Sequence, residues 1–374
     1  MRDRLGVLLI AFLMSATAAC AGPPPAESPS AAPSATPSAT AAPSPSIGSA
    51  ASASPLACTE PLQVALVTDV GSVDAGTKNA AARAGLEAAL DAAPGCFAIE
   101  VVETADVADF AANIAKVSGE GRDVVVGVGL IIGDALGDAA KEHRDMTFIA
   151  VDGIPSTGHD DTWLTNGVSL LFAEDQAGYL AGVLAASMSE ADHIGVVAGP
   201  VVIPPMERYV EGFRDGARSV RPAIATNVAY AESFDDPSEG RTRAKAMTEA
   251  GADVIFAVGG ATSQGAIEAA CEAKVLAIGV ETDQFERLPD AQPCILSSAM
   301  KDIRQAVEDA LLRAARGETV PGVVIEDAST GGIRLAPFRD RAPDVSSTVR
   351  ARLSAAMKGL ADGSIVPDVT IDGQ

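Results

Sequence analysis

Short apolar segments alternate with helical segments along almost the whole chain, and this alternation constrains the fold more than any other feature. From residue 62, runs rich in Val and Ile, such as 63–69 (QVALVTD) and 123–129 (DVVVGVG), are each followed by a helical pattern of ten or more residues. Such runs predict the strands of a parallel sheet, connected by helices. The first series ends with a strand at 146–152, and a second series starts near residue 167.

Two series of strand–helix units predict two similar lobes. We therefore expect an α/β fold with two doubly wound parallel-sheet lobes joined by a hinge. Residues 58–170 and about 297–335 are expected to form lobe 1, and residues 171–296 and about 336–374 to form lobe 2. A short strand pair is expected near 323–335. Because ligands of such sheets bind at the carboxyl ends of the strands, the expected site is the cleft between the lobes.

The first 19 residues have the pattern of an export signal. A basic start at Arg2 and Arg4 precedes the apolar run 5–14, which is too short to span a membrane. Cys20 follows two small residues and resembles the cysteine of a bacterial lipobox, which is lipidated; cleavage after an Ala-x-Ala site is the alternative. Residues 20–57 are rich in Ala, Pro, Ser and Thr, and predict a disordered tether. We expect an exported protein that is lipid-anchored to the outer face of the bacterial cell membrane.

The net charge of the chain excludes two classes of partner. It carries 50 acidic and 27 basic residues, which gives a formal charge of −23. Nucleic acids and anionic membrane surfaces both require a basic face. We therefore expect no nucleic-acid partner, and no membrane contact except through the lipid anchor.

Motifs for catalysis, nucleotides and metals are poorly supported. Segment 127–133 (GVGLIIG) is one residue too long for the dinucleotide fingerprint, and no phosphate-binding G-x-x-x-x-G-K-[ST] loop is present. His159-Asp160-Asp161 is a single short cluster in a loop, which is weak support for a metal site. No nucleophile elbow of the G-x-S-x-G type is found. We expect no catalytic residue, no metal and no cofactor.

Four cysteines follow Cys20, and their positions suggest two pairs. Cys58 and Cys96 lie directly before the first two predicted strands, whose starts are adjacent if these strands are parallel neighbours. Cys271 ends a predicted helix, and Cys294 opens a later strand. We expect the disulfides Cys58–Cys96 and Cys271–Cys294 in an oxidising compartment; buried free thiols are the alternative.

Polar and aromatic residues follow several of the predicted strands. Asp69 ends the first strand, Phe234 follows a strand of the second series, and Gly260, Glu281 and Lys301 follow later ones. Carboxylates accept hydrogen bonds from a vicinal diol, lysine donates to hydroxyl or ring acceptors, and a phenyl ring stacks on another ring. Asp69 could instead serve as a helix N-cap. Convergence of these residues from both lobes predicts a site for a small polar molecule.

The residues at these strand ends, taken in order, resemble the BMP (basic membrane protein) family of ABC-transporter solute-binding lipoproteins, which includes purine-nucleoside receptors. The similarity covers roughly residues 62–340. The matching segments are 67–71 with Val73-Asp74 and Asn79, 127–129 with Asp134-Ala135, 148–153, 178–182, Ile194-Gly195, Gly212-Phe213, 233–237, 251–256, 279–284, 298–301, and Gly331-Gly332 with 335–337. The resemblance implies a type I periplasmic-binding-protein fold, a nucleoside-like solute, and the permease and ATPase subunits of an ABC importer as partners.

The resemblance also implies roles for individual residues. Family members hold the base between aromatic rings and the ribose with an acid and a lysine. By position, Phe234 is one stacking ring, Glu281 is the ribose acid where the family usually has Asp, and Lys301 is the lysine. Asp69 and Asn79 are expected to face the solute from lobe 1.

Two positions depart from the family pattern. Lys78 stands where the family has the stacking Phe of lobe 1, and Leu130 stands where the family often has an aromatic residue. A one-sided stack loses roughly 1 kcal/mol of aromatic pairing. A nucleoside is still the leading expectation, and a modified nucleoside, a sugar-like solute or an anion that suits Lys78 are the alternatives.

Two functions of other classes stay open. An exported enzyme acting on nucleosides or glycosides would need paired carboxylates, for which Asp69 and Glu281 are the one available pair. A ligand-sensing lipoprotein without a transport role would show the same sequence features as an importer subunit.

Overall fold

The structure is a computed structural model that describes residues 56–74, 76–155, 164–201 and 203–369. The expected export signal, Cys20 and nearly all of the tether lie outside the described residues, as does His159-Asp160-Asp161. The strands are β1 (Leu62–Val70), β2 (Phe97–Thr104), β3 (Val124–Val128), β4 (Thr147–Val151), β5 (Gly167–Phe172), β6 (His193–Ala198), β7 (Ala225–Tyr230), β8 (Val254–Val258), β9 (Leu276–Glu281), β10 (Ile295–Lys301), β11 (Gly322–Glu326) and β12 (Ile333–Leu335).

The helices alternate with these strands. They are α1 (Lys78–Ala92), α2 (Phe110–Gly119), α3 (Gly133–Glu142), α4 (Glu174–Met188), α5 (Pro204–Val220), α6 (Pro237–Glu249), α7 (Gly260–Glu272), α8 (Gln284–Arg287), α9 (Ile303–Ala315) and α10 (Ser347–Ala361). Over the described ranges, none of the helices combines the length and the apolar character needed to cross a membrane.

The first sheet has the strand order β11-β5-β4-β3-β1-β2, and all its strand pairs are parallel. All five residues of the central strand β3 are buried. Val124 and Val126 pack into one hydrophobic cluster and Val125 packs into another, so both faces of the sheet are covered. A strand that is buried on both faces needs a continuous apolar sequence rather than an alternating one, which explains the run DVVVGVG.

The second sheet has the order β12-β10-β9-β8-β6-β7, parallel except for β12, which runs antiparallel to β10. Two expectations are wrong at this point. Strand β10 belongs to the second sheet, although residues 297–335 were assigned to lobe 1. Strands β11 and β12 also do not pair with each other, because β11 lies beside β5 and β12 lies beside β10.

The chain crosses between the two lobes three times. It crosses between β5 and α4, between β10 and α9, and between β11 and β12, since α9 packs on α1 while α4 and α10 pack with the second sheet. Of the described residues, those within 62–172 and 303–326 therefore form lobe 1, and those within 174–301 and 333–361 form lobe 2. Three crossings place the hinge at the ends of β5, β10 and β11, close to the carboxyl ends of the strands.

Helices α4 and α5 lie unusually close together in lobe 2. A Cβ atom on Gly182 would stand 2.0 Å from the carbonyl oxygen of Phe213, and one on Gly216 would stand 2.0 Å from that of Tyr179. Such distances require glycine at both positions, because no side chain can be accommodated. The close contact fixes helix α4, whose first residue, Glu174, points into the region described below.

Two disulfides join the expected cysteines. Cys58 is bonded to Cys96 and Cys271 to Cys294. The backbone N–H of Leu62 donates to the carbonyl of Cys96, so the starts of β1 and β2 are adjacent, as the parallel pairing requires. Each disulfide lies at the amino ends of the strands of its sheet, away from the cleft.

Candidate functional site

The carboxyl ends of the two sheets meet across the cleft. The hydroxyl of Thr282, directly after β9 of lobe 2, donates to the carbonyl oxygen of Gly76 in lobe 1 at 2.6 Å. Lys301, at the end of β10, bonds Asp152, which follows β4 of lobe 1, at 2.8 Å. In each case a residue at the end of one sheet contacts a residue at the end of the other. The lobes therefore lie in a closed arrangement, with the strand-end residues between them.

Lys78 is placed by the first turn of α1, which Thr77 caps by accepting from the backbone N–H of Ala80. Its ammonium lies 2.5 Å from Oδ2 of Asp69 at the end of β1. Burial alone would lower the pKa of Lys78, but the carboxylates of Glu281 and then Asp69 outweigh burial and raise it above its ordinary value. Lys78 is therefore a fixed cation between carboxylates from both lobes, in a position that could otherwise hold a ring.

The carboxylate of Asp69 occupies a space that exists because residue 129 is glycine. A Cβ atom on Gly129 would stand 2.6 Å from Asp69 Oδ2. The backbone of Gly129 has φ +105°, in a region that side chains rarely tolerate. The segment GVG at the end of β3 thus shapes the pocket for an acid on the neighbouring strand rather than a phosphate site.

Both the oxygen and the nitrogen of the Asn79 side-chain amide form hydrogen bonds with the backbone of the β1–α1 loop. Its Oδ1 accepts from the N–H of Asp69 at 3.0 Å, and its Nδ2 donates to the carbonyl oxygens of Asp69, Gly71 and Ser72 at 3.0–3.3 Å. The side chain is buried. We expected Asn79 to face the solute, but in this structure it holds the loop that carries Asp69.

Lys301 is the centre of a buried charge cluster. Its ammonium lies 2.8 and 2.9 Å from the two carboxylate oxygens of Asp152 and 2.9 Å from Oε1 of Glu174. The rings of Phe172 and Tyr209 lie 5.6 and 5.7 Å from it, within the range of cation–π attraction. Sequence reasoning gave Lys301 a direct solute contact, whereas its three donors here face protein carboxylates.

The cluster shifts the pKa of each member. Burial would lower the pKa of Lys301, but Asp152 and Glu174 raise it well above its ordinary value. Burial would raise the pKa of Asp152, but the Lys301 ammonium lowers it overall. Burial raises the pKa of Glu174, and Lys301 only partly offsets this effect. Lys301 and Asp152 therefore form a fixed ion pair, and Glu174 holds its proton more firmly than an exposed glutamate.

Two buried polar atoms beside Lys301 have no hydrogen-bond partner in the described part of the chain. They are Oε2 of Glu174 and the hydroxyl of Tyr209, on side chains that are 2% and 1% exposed. Burying such atoms without a partner costs about 1–3 kcal/mol each. Oε2 of Glu174 still lies 3.6 Å from the guanidinium of Arg208, so the Tyr209 hydroxyl is the less compensated of the two.

Phe234 lies over glycine residues at the ends of β6 and β8. A Cβ on Gly199 would stand 2.4 Å from its ring carbon Cε1, and a Cβ on Gly259 would stand 3.1 Å from Cδ1. Gly260 lies against the Phe234 backbone, since a Cβ there would stand 2.4 Å from the Phe234 carbonyl oxygen. Because residues 199 and 259 are glycine, the Phe234 ring can lie against the strand ends of lobe 2. Gly260 packs against the backbone of Phe234.

Two acidic residues of the cleft adopt a left-handed backbone. Asp152 has φ 60° and Glu281 has φ 66°, although neither is glycine. This conformation costs roughly 1–2 kcal/mol for a residue with a side chain. It is common where a side chain must be aimed at a site. Asp152 directly follows β4 and Glu281 is the last residue of β9, so the left-handed backbone sets the direction of each carboxylate where its strand reaches the cleft.

Apolar side chains are exposed at the same strand ends. Leu130 is 45% exposed after β3, Ile154 is 42% exposed after β4, and Ile131 and Val70 are exposed beside them. An aliphatic surface in a cleft binds the apolar face of a solute. Leu130 thus lies on the lobe 1 side of the cleft, where it can contact a ring without aromatic stacking.

Sequence reasoning missed three residues of this region: Asp152, Glu174 and Tyr209. Asp152 could have been found, because it is the last residue of the predicted strand 146–152, just as Asp69 ends the first predicted strand. Glu174 and Tyr209 gave no signal, since they lie on α4 and α5 and reach Lys301 only through the contact between those helices.

A groove with a volume of about 750 Å³ lies elsewhere, between β12 and α10 on lobe 2. Its apolar floor includes Leu180, Phe338 and Leu353. Over the described residues, no group of three or more His, Cys, Asp or Glu side chains is arranged to hold a metal ion.

Comparisons with known proteins agree with this architecture. Residues 62–370 match the family model described as "ABC transporter substrate-binding protein PnrA-like". The chain is 30% identical to the CD4+ T-cell-stimulating antigen of Listeria monocytogenes, over 82% of this chain and 88% of that protein. It is 27% identical to the ABC transporter nucleoside-binding protein BmpA of Lactococcus lactis, over 81% and 88%. A solute-binding protein of an Aeropyrum pernix ABC transporter system has the same fold, with a TM-score of 0.70 and 21% identity over 84% of this chain and 95% of that one.

Proposed function

Because the chain belongs to the Bmp family of PnrA-like ABC transporter substrate-binding proteins, we propose that it captures a nucleoside in the cleft between its lobes and delivers it to the permease of an ABC importer. The observation that carries this proposal is the meeting of strand-end residues from both lobes around the ion pair of Lys78 and Asp69. The name of the Lactococcus lactis relative, a nucleoside-binding protein, supports the choice of solute.

In this proposal the solute is held by complementary groups on the two lobes. Phe234 stacks on the base from lobe 2, and Leu130 packs against it from lobe 1. Glu281 accepts hydrogen bonds from the ribose hydroxyls, and Lys78 donates to an acceptor on the base or sugar. Because the contacts come from both lobes, the bound solute stabilises the closed arrangement, which the permease then recognises.

The geometry gives less support to an enzyme. Asp69 is held by the ammonium of Lys78 at 2.5 Å and is therefore poorly placed to exchange protons with a substrate. A test of turnover is nevertheless simple, because any hydrolysis of a nucleoside would release a free base. Release of base at a rate that depends on Asp69 and Glu281 would favour the exported enzyme over the binding protein.

The binding test is a thermal-shift screen of the purified protein against purine and pyrimidine nucleosides, free bases and common sugars. A solute at 100 times its dissociation constant adds about 2.7 kcal/mol of stability, which is an easily measured shift. We expect nucleosides to give the largest shifts and Glu281→Ala to remove them. Glu318→Ala, at an exposed position after α9, is the matched control. If no nucleoside gives a shift but a sugar does, the solute assignment is wrong while the binding function stands.

We also propose that Cys20 is lipidated and anchors the protein to the outer face of the cell membrane. The lipobox-like sequence and the Ala/Pro/Ser-rich stretch that follows it support this arrangement. Metabolic labelling with a palmitate analogue should mark the wild-type protein and not the Cys20→Ala variant, which should appear in the medium or periplasm. Labelling that survives in Cys20→Ala would contradict the anchor.

A further inference from the structure

The described part of the cleft contains more carboxylates than cations. Three of its four carboxylates lie within 4 Å of a cation, and the fourth does not. The paired ones are Asp69 with Lys78 at 2.5 Å, Asp152 with Lys301 at 2.8 Å, and Glu174 with Lys301 at 2.9 Å and Arg208 at 3.6 Å.

Glu281 is the fourth carboxylate, which lies within 4 Å of no described cation. Among the residues that the structure describes, it makes no hydrogen bond and no ion pair through its side chain, and it is only half-buried. Its charge still acts across the cleft, because it contributes most among the carboxylates to the raised pKa of Lys78 in lobe 1. Its left-handed backbone fixes the direction of the side chain.

The charges of both ammonium groups, by contrast, are already balanced by carboxylates. Lys301 is buried and surrounded by Asp152 and Glu174, and Lys78 is bound to Asp69. Lys78 keeps donors for an uncharged acceptor, but an anionic solute would find the charge of either lysine already balanced by carboxylates, and it would also meet the charge of Glu281. A solute with a positive charge meets the Glu281 carboxylate, which acts on Lys78 across the cleft but forms no hydrogen bond or ion pair with any residue that the structure describes.

We propose that Glu281 makes the cleft selective for the charge of the solute, so that solutes with a protonated amino group bind best, uncharged ones bind less tightly, and phosphorylated ones are rejected. This inference rests on the proposed function, because it concerns the same cleft and the same class of solute. It replaces the anionic solute that Lys78 alone would suggest, since Asp69 already neutralises that lysine.

The test is a charge series on one framework. Adenosine, 5′-amino-5′-deoxyadenosine and adenosine 5′-monophosphate share a base and a ribose and differ mainly in charge. A second series of glucose, glucosamine and glucose 6-phosphate covers a sugar-like solute. Affinities are measured by titration calorimetry with the purified full chain at constant ionic strength. We expect the amine to bind about 10-fold tighter than the neutral member and the phosphate about 100-fold weaker, because like charges brought together in a desolvated site are strongly disfavoured.

The variant Glu281→Gln keeps the size of the side chain and removes its charge. We expect it to remove the advantage of the amine and to reduce the penalty on the phosphate, while Glu318→Gln leaves the order unchanged. Equal affinities within a series in the wild type, or an order that Glu281→Gln does not alter, would overturn the inference while the binding function stands. If no solute of the thermal-shift screen and no member of either series binds, the proposed function itself is wrong, and the inference fails with it.

Discussion

Lys301 and Asp152 form a buried ion pair that joins the two lobes, with the ammonium 2.8 and 2.9 Å from the two carboxylate oxygens. One residue ends a strand of the second sheet, and the other follows a strand of the first. Glu174, at the hinge crossing into α4, completes the cluster. The pair therefore ties the hinge region to the closed arrangement and fixes the floor of the cleft.

Removing Lys301 should strongly destabilise the protein. In Lys301→Met, the carboxylates of Asp152 and Glu174 are left buried without their cation, which typically costs about 3–5 kcal/mol of unfolding free energy. Arg241→Met is the matched control, because Arg241 pairs with Glu268 and Glu272 at the surface of lobe 2, where ion pairs contribute about 0–1 kcal/mol. Urea unfolding of the three proteins measures both effects. Equal losses in the two variants would show that the Lys301 cluster is no stronger than a surface pair.

The same ion pair should make stability depend on acid pH. The pKa of Asp152 is lowered below its ordinary value of 3.8, after Lys301 outweighs the effect of burial. A carboxyl with a lowered pKa contributes stability that is present above pH 3.8 and is lost as the pH falls through the folded-state pKa. The stability difference between wild type and Asp152→Asn should therefore be constant from pH 5 to 7 and shrink below pH 3.8. Melting temperatures measured from pH 2.5 to 7 test this, and a difference that does not change with pH would contradict it.

The sequence predicts much of the fold because its signals are local. Apolar runs and helical periodicity give nearly every strand and helix, and acids at strand ends point to Asp69 and Glu281. Contacts between distant segments give no such signal. Strand β10 was assigned to lobe 1 because no local feature tells which sheet a strand joins, and its pairing with β9 and β12 decides this. Asn79 likewise looks like a solute contact in sequence, whereas the loop fold turns its amide to the backbone.

Filling the space beneath Phe234 should weaken solute binding. A methyl group at position 199 would stand 2.4 Å from the ring, so Gly199→Ala must move the Phe234 ring away from the end of β6. We expect about a 2- to 12-fold loss of affinity for the best solute of the screen, since aromatic contacts contribute about 0.5–1.5 kcal/mol beyond their area. Gly119→Ala is the control, because a Cβ there meets nothing within 4 Å and the residue ends helix α2. Wild-type affinity in Gly199→Ala would exclude Phe234 from the solute contact.

The two disulfides should contribute differently to stability. Cys58–Cys96 closes a loop of 38 residues and Cys271–Cys294 one of 23 residues. In the chain-entropy model each contributes about 3–4 kcal/mol, with slightly more for the longer loop. We expect the paired substitution Cys58→Ser with Cys96→Ser to lower the melting temperature at least as much as Cys271→Ser with Cys294→Ser. The opposite order in urea unfolding would show that strain or residual structure, rather than loop length, decides the contribution.

Lobe closure should depend on the hydrogen bond between Thr282 and Gly76. Thr282→Val keeps the shape of the side chain but removes the hydroxyl that donates across the cleft at 2.6 Å. A hydrogen bond of this kind contributes about 0.5–1.5 kcal/mol, so solute affinity should fall about 2- to 12-fold with little change in the stability of either lobe. Thr248→Val is the control, because the Thr248 hydroxyl donates to Lys245 within lobe 2 at 2.9 Å and crosses no cleft. Small-angle scattering with and without solute should show Thr282→Val more open than Thr248→Val in the absence of solute. If both variants keep the wild-type dimensions and affinity, the Gly76 contact does not control closure, and the ion pair of Lys301 and Asp152 must hold the lobes together by itself.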